Sequence, residues 1–443
     1  MSWILKYRCR AFLRSSLYVA PIASMALALI VAPLIRLLDY RTQWTLLGFG
    51  LEGARAVAGV LAGALLTFIV FSFSIILLAV QVAGAQLSPR VIARIFETNL
   101  VKAVLSAFVF TFLYTLAALG RIEDRVPQLP ILVAVVASLV SIILFLYLIQ
   151  RAGADLRQGV VLTQVAAATR SVIDAHYPIP LTIREGVVPL RDAGCLPATR
   201  TIVHRGSSGA VLAFDTDGLV EIGARAGCVI ELVPQVGDFL ATGEYAFRLY
   251  GAGSDAVKDG WLHDCIALGA ERTLQQDPAF GIRIIVDIAI KALSPAINDP
   301  TTGVLALDQI HHLLHLLSQR QLGSGIVRDA SGAVRLVYRT PCWEDFVTLS
   351  VTEIRLCGAG SPQVTRRLQA MYRHLAEDVP AERSPAIRTE MALLARTIER
   401  TYTDPEDRIL AGVGDLQGFG SREHKYDPER VHAGLSIQEN KET

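Results

Sequence analysis

Residues able to do chemistry gather in two parts of the chain. In its longest apolar stretch Thr67, Ser74, Gln81 and Ser88 recur every seven residues, close to one face of a helix. Such a row of hydroxyls and amides can line a water-filled path through a bilayer. It can equally hydrogen-bond a neighbouring helix, and Gly59 and Gly63, a GxxxG step, favour close helix packing. Arg90 and Arg94 follow the row; at a pore mouth their guanidinium groups would favour anions. The second group is Arg272, Gln276, Asp277, Arg283, Asp287, Asn298 and Asp299, where cations beside carboxylates and amides suit a ligand or a protein interface. Arg283, Asp287 and Lys291 at i, i+4 and i+8 also suit a salt-bridged surface.

Asp308, His311, His312 and His315 come next. Asp308/His312 and His311/His315 have the i, i+4 spacing that can set metal ligands on one helix face. Leucines surround them, and neither an HExxH sequence nor a nearby Cys accompanies them, so the expectation is an amphipathic helix without metal. Titration near neutral pH is a further property such histidines can carry. No cofactor is expected. Residues 48–53 match GxGxxG but lack a preceding strand, and there is no Walker A sequence. Residues 206–209 are not a nucleophile elbow, residues 215–218 lack the remaining EF-hand ligands, and no catalytic signature emerges.

The elements that must position these residues follow from composition. Of 443 residues, 52% are hydrophobic and 19% charged, with mean hydropathy +0.42, which argues for membrane segments and against a disordered or wholly soluble chain. Net charge is +1, unevenly spread: residues 1–150 hold 12 basic and 5 acidic side chains, the remainder 30 and 36. A nucleic-acid partner is not expected, since the polar part is acidic. Six cysteines without a CxxC pair suggest reduced thiols rather than a disulfide framework or a zinc knuckle.

Four uncharged runs each suffice to cross about 30 Å of hydrocarbon. They predict spans at about 15–37, 56–84, 103–120 and 127–149, with Pro33 and Arg36 closing the first. The uncharged runs behind these spans, 15–35, 56–89, 103–120 and 126–150, contain no Asp, Glu, Lys, Arg or His, which disfavours proton-coupled transport. Nine Lys/Arg on one side against five on the other place both termini in the cytoplasm.

Residues 151–200 read as a connecting helix and linker. A β-rich, barrel-like module is expected over 201–252, with turns at Asp217-Gly218 and Gly237-Asp238. Residues 253–411 read as mainly helical, with helices starting at Asp277-Pro278 and Asp299-Pro300, where Asp suits the N-cap and Pro the first turn. Residues 412–443 read as a flexible tail. The fold class is thus a four-helix membrane part followed by a mixed α+β cytoplasmic domain.

Phe73-Ser74-Ile75-Ile76-Leu77-Leu78-Ala79-Val80-Gln81, followed by Gln86-Leu87-Ser88-Pro89-Arg90, resembles the membrane motif of the bacterial family catalogued as domain of unknown function 2254. Arg272-Thr273, Gln276 to Arg283, Asp287-Ile288-Ala289 and Ala292 to Thr301 resemble its second signature. The similarity spans about residues 5–400. It implies four membrane helices and a cytoplasmic domain in a bacterial inner membrane, and no known activity, ligand or catalytic residue.

The expected function is therefore an oligomeric channel or solute conduit with a cytoplasmic regulatory domain. Its partners are the bilayer, further copies of itself and a small ion or solute. The alternative is a membrane-anchored sensor or scaffold. A membrane enzyme using Asp287, Asn298, Asp299 and the His311/His315 pair is the least supported.

Overall fold

The computed structural model describes residues 3–42, 50–86, 99–120, 122, 127–155, 157–181 and 197–417. They divide into two compact units: the described residues within 1–165, 188–280 and 324–340, and those within 166–187, 281–323 and 341–443.

The first unit opens with α1 (Trp3–Ser15), a helix that precedes the first expected span and is not among the elements expected from the sequence. Four helices long and apolar enough to cross a membrane follow: α2 (Val19–Thr42), α3 (Leu51–Gln86), α4 (Asn99–Leu119) and α5 (Gln128–Asp155). Pro33 does not end α2, which runs on to Thr42. An interior proline costs one backbone hydrogen bond, which a membrane helix tolerates where neighbouring helices pack against it. Here Ala28 and Ala32 let α2 lie close to Tyr114 of α4. The 36 residues of α3 form one unbroken helix of roughly 54 Å, well beyond the hydrocarbon thickness.

α4 is the hub, packed by α2, α3 and α5. Phe68 of α3, Phe108 of α4 and Phe145 of α5 meet at ring separations of 5.2 to 6.1 Å, with Leu65, Val104 and Leu105 around them. Apolar helices gain little from burial within lipid, so tight packing and interhelical hydrogen bonds carry the association. One such bond joins Thr111 and Ser141 across α4 and α5 at 3.0 Å. At one end of the bundle Asp39 accepts from the Leu129 amide at 2.9 Å, and Arg55 donates to the Ile122 carbonyl at 2.7 Å.

After α6 (Gln158–His176) come β1 (Arg200–Val203), β2 (Gly209–Phe214), α7 (Thr216–Ala226), β3 (Val229–Leu232), β4 (Phe239–Leu240), β5 (Tyr245–Tyr250), α8 (Asp259–His263) and β6 (Ile266–Gly269). Further on lie α9 (Pro278–Ala292), α10 (Pro300–Ser318), β7 (Ile326–Arg328) and β8 (Val334–Tyr338). The strands form two open sheets, ordered β1-β5-β3-β8-β7 and β4-β2-β6. No sheet closes among the described residues, so the expected barrel is corrected. The parallel pairing of β3 with β8 recruits strands far beyond residue 252 and leaves β1 and β7 as free edges. The turn expected at Asp217-Gly218 is instead the first turn of α7, because Asp215 caps it by accepting from the Gly218 amide.

The second unit is helical. Besides α10 it holds α11 (Trp343–Cys357), α12 (Pro362–Asp378), α13 (Ser384–Thr401) and α14 (Pro405–Gly412), with α12 packed on α10, α13 and α14. Gly281, from the second signature, is where Thr169 of α6 comes so close that a Cβ would lie 2.1 Å from its hydroxyl.

Candidate functional site

The polar row of α3 lies on the side that α4 and α5 leave uncovered. Ala58, Ala62, Leu65, Ser72, Ile76 and Ala79 are buried, whereas Thr67, Ser74 and Gln81 are exposed. The Thr67 and Ser74 hydroxyls each donate to the carbonyl four residues back, Gly63 and Val70, at 3.1 Å. Gly59 and Gly63 share the uncovered side, with open space where a Cβ would stand. Inside the bundle the Phe68, Phe108 and Phe145 rings fill the core, so among the described residues no polar path passes that point of a single chain. Ser88, Arg90 and Arg94 lie outside the described residues.

In the first unit, Arg272, Gln276 and Asp277 form one knot. Asp277, only 4% exposed, accepts from Arg272 at 2.6 and 3.0 Å through Oδ2 and caps α9 by accepting from the Phe280 amide through Oδ1. Gln276 pairs both ways with the Phe214 backbone at 3.0 and 3.2 Å, holding this segment against β2. The guanidinium of Arg272 stacks over Phe280 at 5.3 Å and rests on Gly237, where a Cβ would meet it at 2.4 Å. Gly237 has φ +93°, a second reason for glycine there. Beside it Arg339 holds Asp238 at 2.6 Å.

In the second unit, Arg283 is held by two carboxylates, Asp287 at 2.9 Å and Glu353 of α11, which it grips with both terminal nitrogens. These neighbours hold its pKa above the usual arginine value, the Glu353 hydrogen bond most of all. Asn298 has φ +49°, a left-handed turn that asparagine tolerates. It feeds Asp299, whose side chain accepts from the Thr302 amide at 3.1 Å and hydroxyl at 2.6 Å and so starts α10.

The α10 row meets three residues of α12 absent from the sequence-derived set. Arg367 donates to Asp308 at 2.7 Å and to Nδ1 of His311 at 3.1 Å. A guanidinium only donates, so the His311 hydrogen sits on Nε2 and goes to Nδ1 of His374, 3.0 Å away. His374 and His315 both face Asp378, at 3.5 and 3.9 Å. Burial, then Arg367, pushes the His311 pKa down to about 4. His312 is exposed. This hydrogen-bond order occupies the ring nitrogens of His311. Among the described residues no group of three or more His, Cys, Asp or Glu is arranged to hold a metal ion. The His374/Asp378 pair at i, i+4 carried the same spacing signal as His311/His315, and Glu353 carried none.

A family model described as "Predicted membrane protein (DUF2254)" matches residues 14–374. Two uncharacterized relatives, from Mycobacterium bovis and Mycobacterium tuberculosis, are each 26% identical over 417 residues, covering 90% of this chain and 79% of their own length. No solved structure matches the chain.

Proposed function

The chain belongs to the DUF2254 family of predicted membrane proteins, and from that premise we propose that it assembles into an oligomeric conduit for a small ion or solute. The uncovered polar side of α3 carries this reading: Thr67, Ser74 and Gln81 are exposed, left uncovered by the described residues of their own chain. An amide facing lipid is costly, so Gln81 requires water or another polar group beside it. With the core of each bundle filled, a path needs several copies, each contributing α3 to its wall. In this arrangement the protein sits in a bacterial inner membrane with both termini in the cytoplasm, and the extramembrane units regulate passage.

One observation favours a second reading, a membrane-anchored sensor or scaffold. The Thr67 and Ser74 hydroxyls are already satisfied by their own helix, and Gly59 and Gly63 suit dry contact between helices. Single cysteines at positions 67, 74 and 81 separate the two. A wetted α3 reacts with a membrane-impermeant thiol reagent at all three depths, whereas dry packing protects them and gives disulfide-linked dimers instead.

A further inference from the structure

The short helix α1 has two apolar sides. Trp3, Ile4, Tyr7 and Ala11 are half-buried on the side that packs toward β6. There the Trp3 and Tyr7 rings stack at 5.3 Å, and the Tyr7 hydroxyl faces that of Thr273, both shielded from solvent. The opposite side is uncovered: Leu5, Phe12 and Leu13 are 54%, 51% and 52% exposed, and Cys9 is exposed among them. At 100° per residue, Arg8 borders this stripe on one edge and Lys6 and Arg10 on the other. No acidic residue occurs before Asp39.

Only three residues separate α1 from α2, so its end lies within roughly 14 Å of the start of the span. Tyr18 directly precedes α2, the position next to an apolar span where aromatic residues anchor it at the interface. Its ring meets Phe12 edge-on at 6.0 Å, which brings the exposed stripe to the same level.

We propose that α1 is an interfacial helix that binds anionic phospholipid headgroups through Lys6, Arg8 and Arg10 while Leu5, Phe12 and Leu13 enter the acyl boundary. An apolar stripe flanked by cations is what such a surface selects. The opposite side reports this contact to the extramembrane sheets, because Tyr7 meets Thr273 in the segment that carries Arg272 and Asp277. The assignment is independent of whether α3 lines a conduit.

The test uses the full-length protein with a spin label on Cys9, its other cysteines changed to serine, in vesicles with and without phosphatidylglycerol. A label on Cys357, exposed on α11, gives the aqueous reference. In anionic vesicles the Cys9 label should collide readily with oxygen and poorly with a water-soluble nickel chelate. Changing Lys6, Arg8 and Arg10 to Gln should reduce the inserted population about fivefold per cation removed. Three results would overturn the proposal: a Cys9 label as open to nickel as Cys357, a label shielded from both reagents by protein, or insertion indifferent to lipid charge and to the triple variant.

Discussion

Arg272 and Asp277 form an ion pair in which the carboxylate is almost wholly buried and the guanidinium lies on the α-carbon of Gly237. The pair ties the start of α9 to the turn before β4. Arg272→Ala leaves Asp277 buried without its cation, a loss of about 3 kcal/mol. Gly237→Ala, whose new methyl displaces the guanidinium, should produce much of the same loss. Hydrogen exchange over residues 272–280 checks both: faster exchange in each variant is expected, and wild-type protection in Arg272→Ala would show that the pair does not hold this segment.

A second buried pair sits inside the helical unit. Arg355 of α11 lies 3.5 Å from Glu390 of α13, both side chains 7% exposed, and Arg355 also donates to Thr397 at 3.0 Å. Burial raises the Glu390 pKa above its usual value. Arg355→Met alone should destabilise the unit by about 3 kcal/mol, and the double variant Arg355→Met, Glu390→Met should recover most of it, because the cost comes from the orphaned charge. Thermal unfolding of the purified full chain in detergent reads this as a large fall in Tm for the single variant and a small one for the double.

The His311 network predicts acid sensitivity. Its folded pKa of about 4 lies below the ordinary 6.5, so in the interval between them the unfolded chain binds a proton that the folded one does not. Stability contributed by neutral His311 is therefore present above pH 6.5, falls as the pH drops toward 4 and levels off below. Hydrogen exchange of α10 and α12 measured across this window should show protection falling with pH. His311→Leu, which cannot titrate, should flatten that dependence.

The four apolar helices long enough to span are legible in the sequence because apolar run length is a local property, and so are the helix starts at Asp277 and Asp299, whose caps act over three residues. The ends of α2 are less so, since tolerance of Pro33 depends on the α4 surface against which Ala32 packs. The β-region misleads for the same reason. Val334–Tyr338 lies in a stretch expected to be mainly helical, yet it is a strand whose parallel pairing with Val229–Leu232 joins positions about a hundred residues apart and opens what looks like a barrel. Within the candidate sites, periodicity puts Thr67, Ser74 and Gln81 on one face. Which side of α3 they occupy follows from where Phe108 and Phe145 receive Phe68. Glu353 and Arg367 reach Arg283 and His311 from other helices, which no spacing rule foretells.

The most direct measurement is planar-bilayer recording from the reconstituted full-length protein, with Gln81→Leu as its pair. A conduit walled by α3 predicts discrete currents in the wild type that are lost in the variant, because leucine removes the polar group that keeps the narrowed path wet. Wild-type bilayers that stay silent across voltage, tension and pH, or currents unchanged in Gln81→Leu, would contradict the account and leave the polar side of α3 as a helix-packing surface.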